Sequence, residues 1–242
     1  MFNMNVNSPL IIENSLNASY IDNLFVAMFY KMSHIQNILT NDIDNCEHLY
    51  LHNMIYYYFV NNMKLKNVIS SQIINEIRNY SVFCGWKKNL NFIDVFSVNE
   101  YYDFLISVLN HNNLFNKSNY IELNISYNCD IKNALDVYLE NNNLECILPS
   151  FIPIYLNKKS DVIIDIYKAI TINNYANIWA IHSIICFSKK ERQYYSIISS
   201  NNEWFLYTSS KKPSLIKINI ADEELSYRIK QDCCFLFYTI CE

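Results

Sequence analysis

The chain has 242 residues, a formal net charge of −4, and 51% hydrophobic and 15% aromatic residues. That apolar content excludes a disordered chain, and a net negative charge with no basic stripe excludes a phosphate-reading nucleic-acid binder. A single glycine, Gly85, excludes the glycine-rich phosphate loops of nucleotide-binding folds, which need several glycines at fixed spacing.

Length alone allows one large domain or two small ones. Asparagine must supply most turn positions with positive φ. The first strong pattern is Ser19 to Leu39, which sets Ile21, Leu24, Phe25, Met28 and Phe29 on one helical face. Glu47 to Asn61, Asn67 to Tyr80 and Val98 to Leu109 read as further helices. Near Tyr120 the texture changes: Tyr120 to Ser126 alternates, and Ile131 to Glu140 is a short helix. Strands are expected at Phe151 to Leu156, Trp179 to Phe187, Tyr194 to Ser199, Trp204 to Tyr207, Leu215 to Ile218 and Cys234 to Ile240. Asn201-Asn202 suits a hairpin turn. Helices first and antiparallel strands later indicate an α+β fold.

No stretch reaches the length of a membrane span, and no charged segment followed by an apolar core opens the chain. The eight cysteines have no paired spacing apart from adjacent Cys233 and Cys234. They read as reduced core thiols of an intracellular protein, cytoplasmic or nuclear. The abundance of Asn, Ile, Tyr and Lys points to an AT-biased source such as a virus or parasite.

The stretch NSLNASYIDNLFVAMF (residues 14–29) runs from polar residues straight into an apolar helix. It resembles the N-terminal box of the ubiquitin-specific proteases, papain-like cysteine hydrolases, with Asn14, Asn17, Tyr20, Ile21 and Asp22 matching and Ser19 in the cysteine slot. The Tyr-Ile-Asp form is most similar to the cylindromatosis-type branch. Four further blocks follow in family order. VNEYYDFLISVL resembles the Gln-Asp-x-x-Glu-Phe helix. IELNISYNCDIKNALDVYLENNNLE with LPSFIPIYLNK resembles the segment leading into the Leu-Pro strand. IHSIICFSKKERQYYSIISSNNEWFLYTS resembles the His-Tyr and Trp strands, and CCFLFYT the closing Tyr-x-Leu-Phe-Tyr strand.

The resemblance implies one domain over 1–242, with a helical thumb over about 1–115 and an antiparallel β palm over about 116–242. It also implies a site built from four positions. Asn14 keeps the oxyanion donor. Ser19 replaces the nucleophilic cysteine, Gln193 the base histidine, and Thr208 the orienting Asp or Asn. A cysteine hydrolase needs a thiolate, an imidazole and an orienting group, and none of the three is present. The tail-holding Gln-Asp pair is Phe96-Ser97, and Asn157-Lys158 stands where Arg-Phe is common. Without Cys-x-x-Cys pairs, the fingers are expected to be reduced and without zinc.

Plain readings stand beside the chemical ones. Ser19 is expected to cap the helix that follows. Cys46, His48 and His52 form a polar helix face rather than a metal site. His182 is a core or strand histidine, whose alternative is a rearranged base for Ser19. Ser209-Ser210-Lys211-Lys212 reads as a solvated turn and Tyr56-Tyr57-Tyr58 as helix packing. The expected protein is an inactive member of this fold that serves as an interaction scaffold or complex subunit. It needs no cofactor or metal and has a protein partner, neither nucleic acid nor membrane. The alternatives are a ubiquitin or ubiquitin-like binder that shields conjugates and a divergent active hydrolase.

Overall fold

A computed structural model describes residues 10–31, 33–87, 96–111, 115, 118–142, 149–159, 161–172 and 175–241. Residues 143–148, inside one of the family-like blocks, and residues 1–9, at the start of the expected domain, lie outside the described residues.

Helix α1 (Ser19–Phe29) is buried at every position, so it is the axle of the helical half and not an amphipathic surface helix. It stops ten residues short of the expected Leu39. Ser33 takes extended backbone angles and its hydroxyl accepts from the Ile35 amide, starting a separate 3-10 helix, His34–Thr40. A serine that can satisfy a helix start competes with continuation of the helix before it. The next helix runs through α2 (Cys46–Asn53), a π-helical segment (Met54–Val60) and α3 (Asn61–Lys64). The π turn buries Ile55, Phe59 and Val60 together, a spacing that an ordinary α-turn spreads more widely. Tyr56, Tyr57 and Tyr58 project outward, each more than a third exposed, which corrects their reading as helix packing. Helices α4 (Ser71–Phe83, capped by Ser70) and α5 (Val98–Val108) complete this half.

The remainder is β1 (Ile121–Ile125), β2 (Cys129–Asp130), α6 (Ile131–Asn141), β3 (Phe151–Lys158), β4 (Ile164–Asp165), β5 (Ala169–Thr171), β6 (Ile178–Ser188), β7 (Gln193–Ser200), β8 (Glu203–Tyr207), β9 (Leu215–Ile218), α7 (Glu223–Asp232) and β10 (Cys233–Ile240). The main sheet has the order β1-β3-β10-β6-β7-β8-β9, with β5 on β6, and β2 pairs with β4 separately. It is antiparallel except that β1 runs parallel to β3, Ile121 opposite Ile154, a departure from the all-antiparallel expectation. Asn201 and Asn202 both take positive φ (52° and 61°) and close the β7–β8 hairpin with Ser200 opposite Glu203.

The sheet is covered on both faces, so its strands read as nearly unbroken apolar runs. Phe235, Phe237, Tyr194 and Ile198 face the α1 layer. Leu236, Tyr238, Tyr195 and Ile197 face the other way, into the core that includes Ile131 and Leu135 of α6 and Ile229 of α7. Among the described residues no helix is long and apolar enough to cross a membrane.

Candidate functional site

Three segments meet at the first turn of α1. The chain before α1 is pinned at Ile12, whose amide donates to Ser214 Oγ at 2.9 Å, and Ser214 lies in the β8–β9 connection. Arg78 of α4 donates to the Leu16 carbonyl at 2.7 Å and so holds the turn that enters α1. From the sheet side, Ser196 of β7 donates to Asn23 Oδ1 at 2.8 Å, and Asn23 donates to the Tyr194 carbonyl at 3.2 Å.

This framework brings the four predicted positions into one region. Ser19 Oγ accepts from the Tyr194 backbone amide at 3.1 Å, next to Gln193. Gln193 Nε2 donates to Glu191 Oε2 at 3.0 Å and reaches Ser210 Oγ at 3.5 Å. Ser210 Oγ is 2.9 Å from Thr208 Oγ1. Ser209 Oγ donates to Asn14 Oδ1 at 3.5 Å. Ser19 is not the helix cap: Ala18 holds that position and makes no side-chain capping bond. The hydroxyl instead turns to the sheet, because the Tyr194 amide beside it is buried and needs an acceptor.

His182 does not belong to this region. It is fully buried in β6, and its neighbour Ser183 donates to the Ala27 carbonyl at 2.8 Å. Ala27 is eight residues along α1 from Ser19, about 12 Å at about 1.5 Å per residue. Burial, with Lys31 adding to it, pushes the His182 imidazole down to about 3, and the backbone at Met28 and Ala27 offsets this only in part. Neither ring nitrogen makes a hydrogen bond of normal geometry. His52 Nε2 lies 3.0 Å from the Leu39 carbonyl, and among the described residues no three His, Cys, Asp or Glu side chains gather as a metal site.

Two residues named in the sequence reading, Asp22 and Ser209, have a burial there that it did not foresee. Asp22 is fully buried one residue before Asn23, and burial raises its carboxyl to about 6. The Asn23 amide donates to it at 2.7 Å. The Ser209 hydroxyl also pulls it down, and the Tyr207 hydroxyl lies near it outside good hydrogen-bond geometry. Ser209 is itself buried, which corrects the reading of 209–212 as a wholly solvated turn. Asp22 was matched to the N-terminal box by its identity alone; its standing as the lone acid inside YIDNLFVAMF is the signal for its burial.

A cavity of about 600 Å³ opens between the N-terminus of α5, the end of β3 and the β6–β7 turn. Ser97, Tyr155, Asn157 and Tyr194 are among its walls. Tyr194 Oη accepts from the Val98 amide at 3.3 Å, tying the α5 start to β7. Phe96 packs edge-on against Tyr20 with ring centres 5.7 Å apart. Asn157 is engaged by the sheet edge, donating to Glu122 and Asn124.

No protein-family model matches the chain, and no curated protein matches it. Solved structures do. A chain of the yeast SAGA DUB module with Sgf73 aligns with a TM-score of 0.56 and 16% identity over 97% of this chain and 68% of that one. An essential yeast splicing factor aligns with a TM-score of 0.60 and 7% identity over 98% and 70%. The Saccharomyces cerevisiae Pan2 pseudoubiquitin hydrolase–RNA exonuclease module aligns with a TM-score of 0.63 and 10% identity over 98% and 54%. The protein thus has an α+β fold of the ubiquitin-specific-protease type, similar to these chains in architecture.

Proposed function

We propose that this protein is a catalytically silent relative of the ubiquitin-specific proteases that works by binding another protein through the cleft beside α5. The observation that carries this reading is the Ser19–Tyr194 hydrogen bond. A hydroxyl needs an adjacent base to attack a carbonyl. The groups gathered around Ser19 are an amide side chain and hydroxyls, Gln193, Thr208, Ser209 and Ser210, none of which accepts a proton near neutral pH, and the Glu191 carboxylate beyond Gln193 is engaged by Gln193 and Arg228. The one ionisable group below them, Asp22, is sealed under the site. The single histidine of the adjoining strand lies some two helical turns away, which weighs against a rearranged base. The binding role rests on what remains, a formed cavity with tail-holding slots of changed chemistry. The cytoplasm or nucleus is the proposed compartment.

The test is incubation with fluorogenic ubiquitin and with electrophilic ubiquitin probes, beside a binding measurement with ubiquitin itself. No turnover and no probe adduct are expected. Turnover abolished by Ser19→Ala overturns the reading. Saturable ubiquitin binding without turnover moves the conjugate-shielding reading ahead of the scaffold.

A further inference from the structure

The chain carries a net charge of −4, yet the cavity beside α5 concentrates the opposite sign. Its described lining includes Lys158, Lys159, Lys189, Lys190 and Arg228 against two carboxylates, Glu191 and Asp232. Both carboxylates are already engaged by Arg228, at 3.8 Å and 3.5 Å. Among the described residues none of the four lysines has a carboxylate partner at ion-pair distance. Lys158 lies partly buried at the end of β3, its ammonium donating to the Val162 and Gln231 carbonyls at 2.8 Å and 2.5 Å. That fixes its charge in place without neutralising it. Lys159 continues the same strand end, while Lys189 and Lys190 come from the β6–β7 turn, so positive charge is supplied by two separate elements.

We propose that this cavity binds an acidic peptide segment of the partner; the inference rests on the reading that the cleft binds a protein. The volume of about 600 Å³ lies within the about 300–1,000 Å³ of ordinary ligand sites. Val98, Tyr155, Leu156 and Phe187 give the walls apolar area for the side chains between carboxylates. Lysines are adaptable point charges that suit scattered carboxylates. The one guanidinium in the described lining already faces Glu191 and Asp232, which compete with a phosphate for its fork. Opposite charge across such a cleft steers encounter and rejects basic competitors, so a segment rich in Asp or Glu is selected over a neutral or basic one.

The experiment is fluorescence anisotropy of the full chain with a fluorescein-labelled peptide of alternating Glu and Leu. Its Gln/Leu and Lys/Leu counterparts and an oligouridylate of similar length are measured in parallel, each at low and physiological salt. The acidic peptide is expected to bind at least about tenfold more tightly than the glutamine peptide, with the gap narrowing as salt rises. Lys189→Glu with Lys190→Glu, both exposed and free of structural bonds to carbonyls, should cancel that preference, while Lys168→Glu outside the cavity should not. Equal binding of the glutamine peptide, preference for the oligouridylate, insensitivity to the double reversal, or no binding of the acidic peptide overturns the inference. The underlying cleft reading falls separately, only if Ser19-dependent turnover of ubiquitin substrates is found.

Discussion

Ser19 Oγ and the Tyr194 amide, 3.1 Å apart, join the first turn of α1 to the start of β7. Both residues are buried. Ser19→Ala therefore leaves a buried amide without its acceptor, at a cost of about 1–3 kcal/mol. The urea midpoint should fall by the corresponding amount, and hydrolysis of ubiquitin substrates should stay at background. A variant as stable as the parent would mean that the bond adds nothing net.

Asp22 gives a pH signature with a definite sign. Its carboxyl is raised to about 6 in the fold, above an ordinary value of 3.8. A raised acid penalises the folded state wherever it must be ionised, so the penalty is full above about pH 6 and vanishes below the unfolded value, near pH 4. Stability from this residue should rise as pH falls across that window. Asp22→Asn, which keeps an acceptor for the Asn23 amide, should stabilise at pH 7.5 by about 1–3 kcal/mol and flatten the change between pH 6 and 4. Denaturation at several pH values reads both effects. An unchanged pH slope in the variant would assign the dependence elsewhere.

Restoring Ser19→Cys, Gln193→His and Thr208→Asp together should not give an efficient deubiquitinase. Catalytic groups act as a unit, so all three must return before activity is expected. Even then Phe96 is engaged by Tyr20 and Asn157 by the β1 edge, so the substrate tail lacks its usual holds. Misplacement by about an ångström can cost roughly a hundredfold. Faster alkylation of Cys by iodoacetamide without cleavage of fluorogenic ubiquitin is the expected pair of results. Robust cleavage would show that the ubiquitin channel is intact.

The β7–β8 turn tests how asparagine does the work of glycine. Asn202 sits at φ 61°, where most residues pay about 1–2 kcal/mol and asparagine less. Asn202→Ala should lower stability by about 1 kcal/mol, whereas Asn202→Gly should equal or exceed the parent. Thermal unfolding of the pair decides it; an alanine variant that matches the parent would mean that the turn adopts another geometry.

What the sequence made legible follows the range of the forces involved. Helix α5, helix α6 and the strands at 151–158, 178–188 and 193–207 were readable because hydrophobic period is local. The Asn201-Asn202 turn was readable because its chemistry is two residues long. The parallel pairing of β1 with β3 was not, since nothing in five alternating residues encodes direction. Helix α7 escaped notice because it buries only Ile229, although Asp222 caps it and Lys230 sits in its last turn. The proximity of Ser19, Gln193, Thr208 and Asn14 was legible from the order of the sequence blocks along the chain. Asp22 was matched only as part of the N-terminal box and Ser209 was read as solvated, because their burial is created by segments far away in sequence.

The position of β10 also shapes how the protein is born. Among the described residues it is the only bridge between the pair β1–β3 and the strands from β6 to β9. During synthesis the edges of β3 and β6, lined with isoleucine, therefore stay unpaired until residues 219–240 have followed β9 out of the ribosome. At about 5–20 residues per second that is a delay of a second or more. Through it the nascent chain presents two open sheet edges, the form most prone to adhere to other chains.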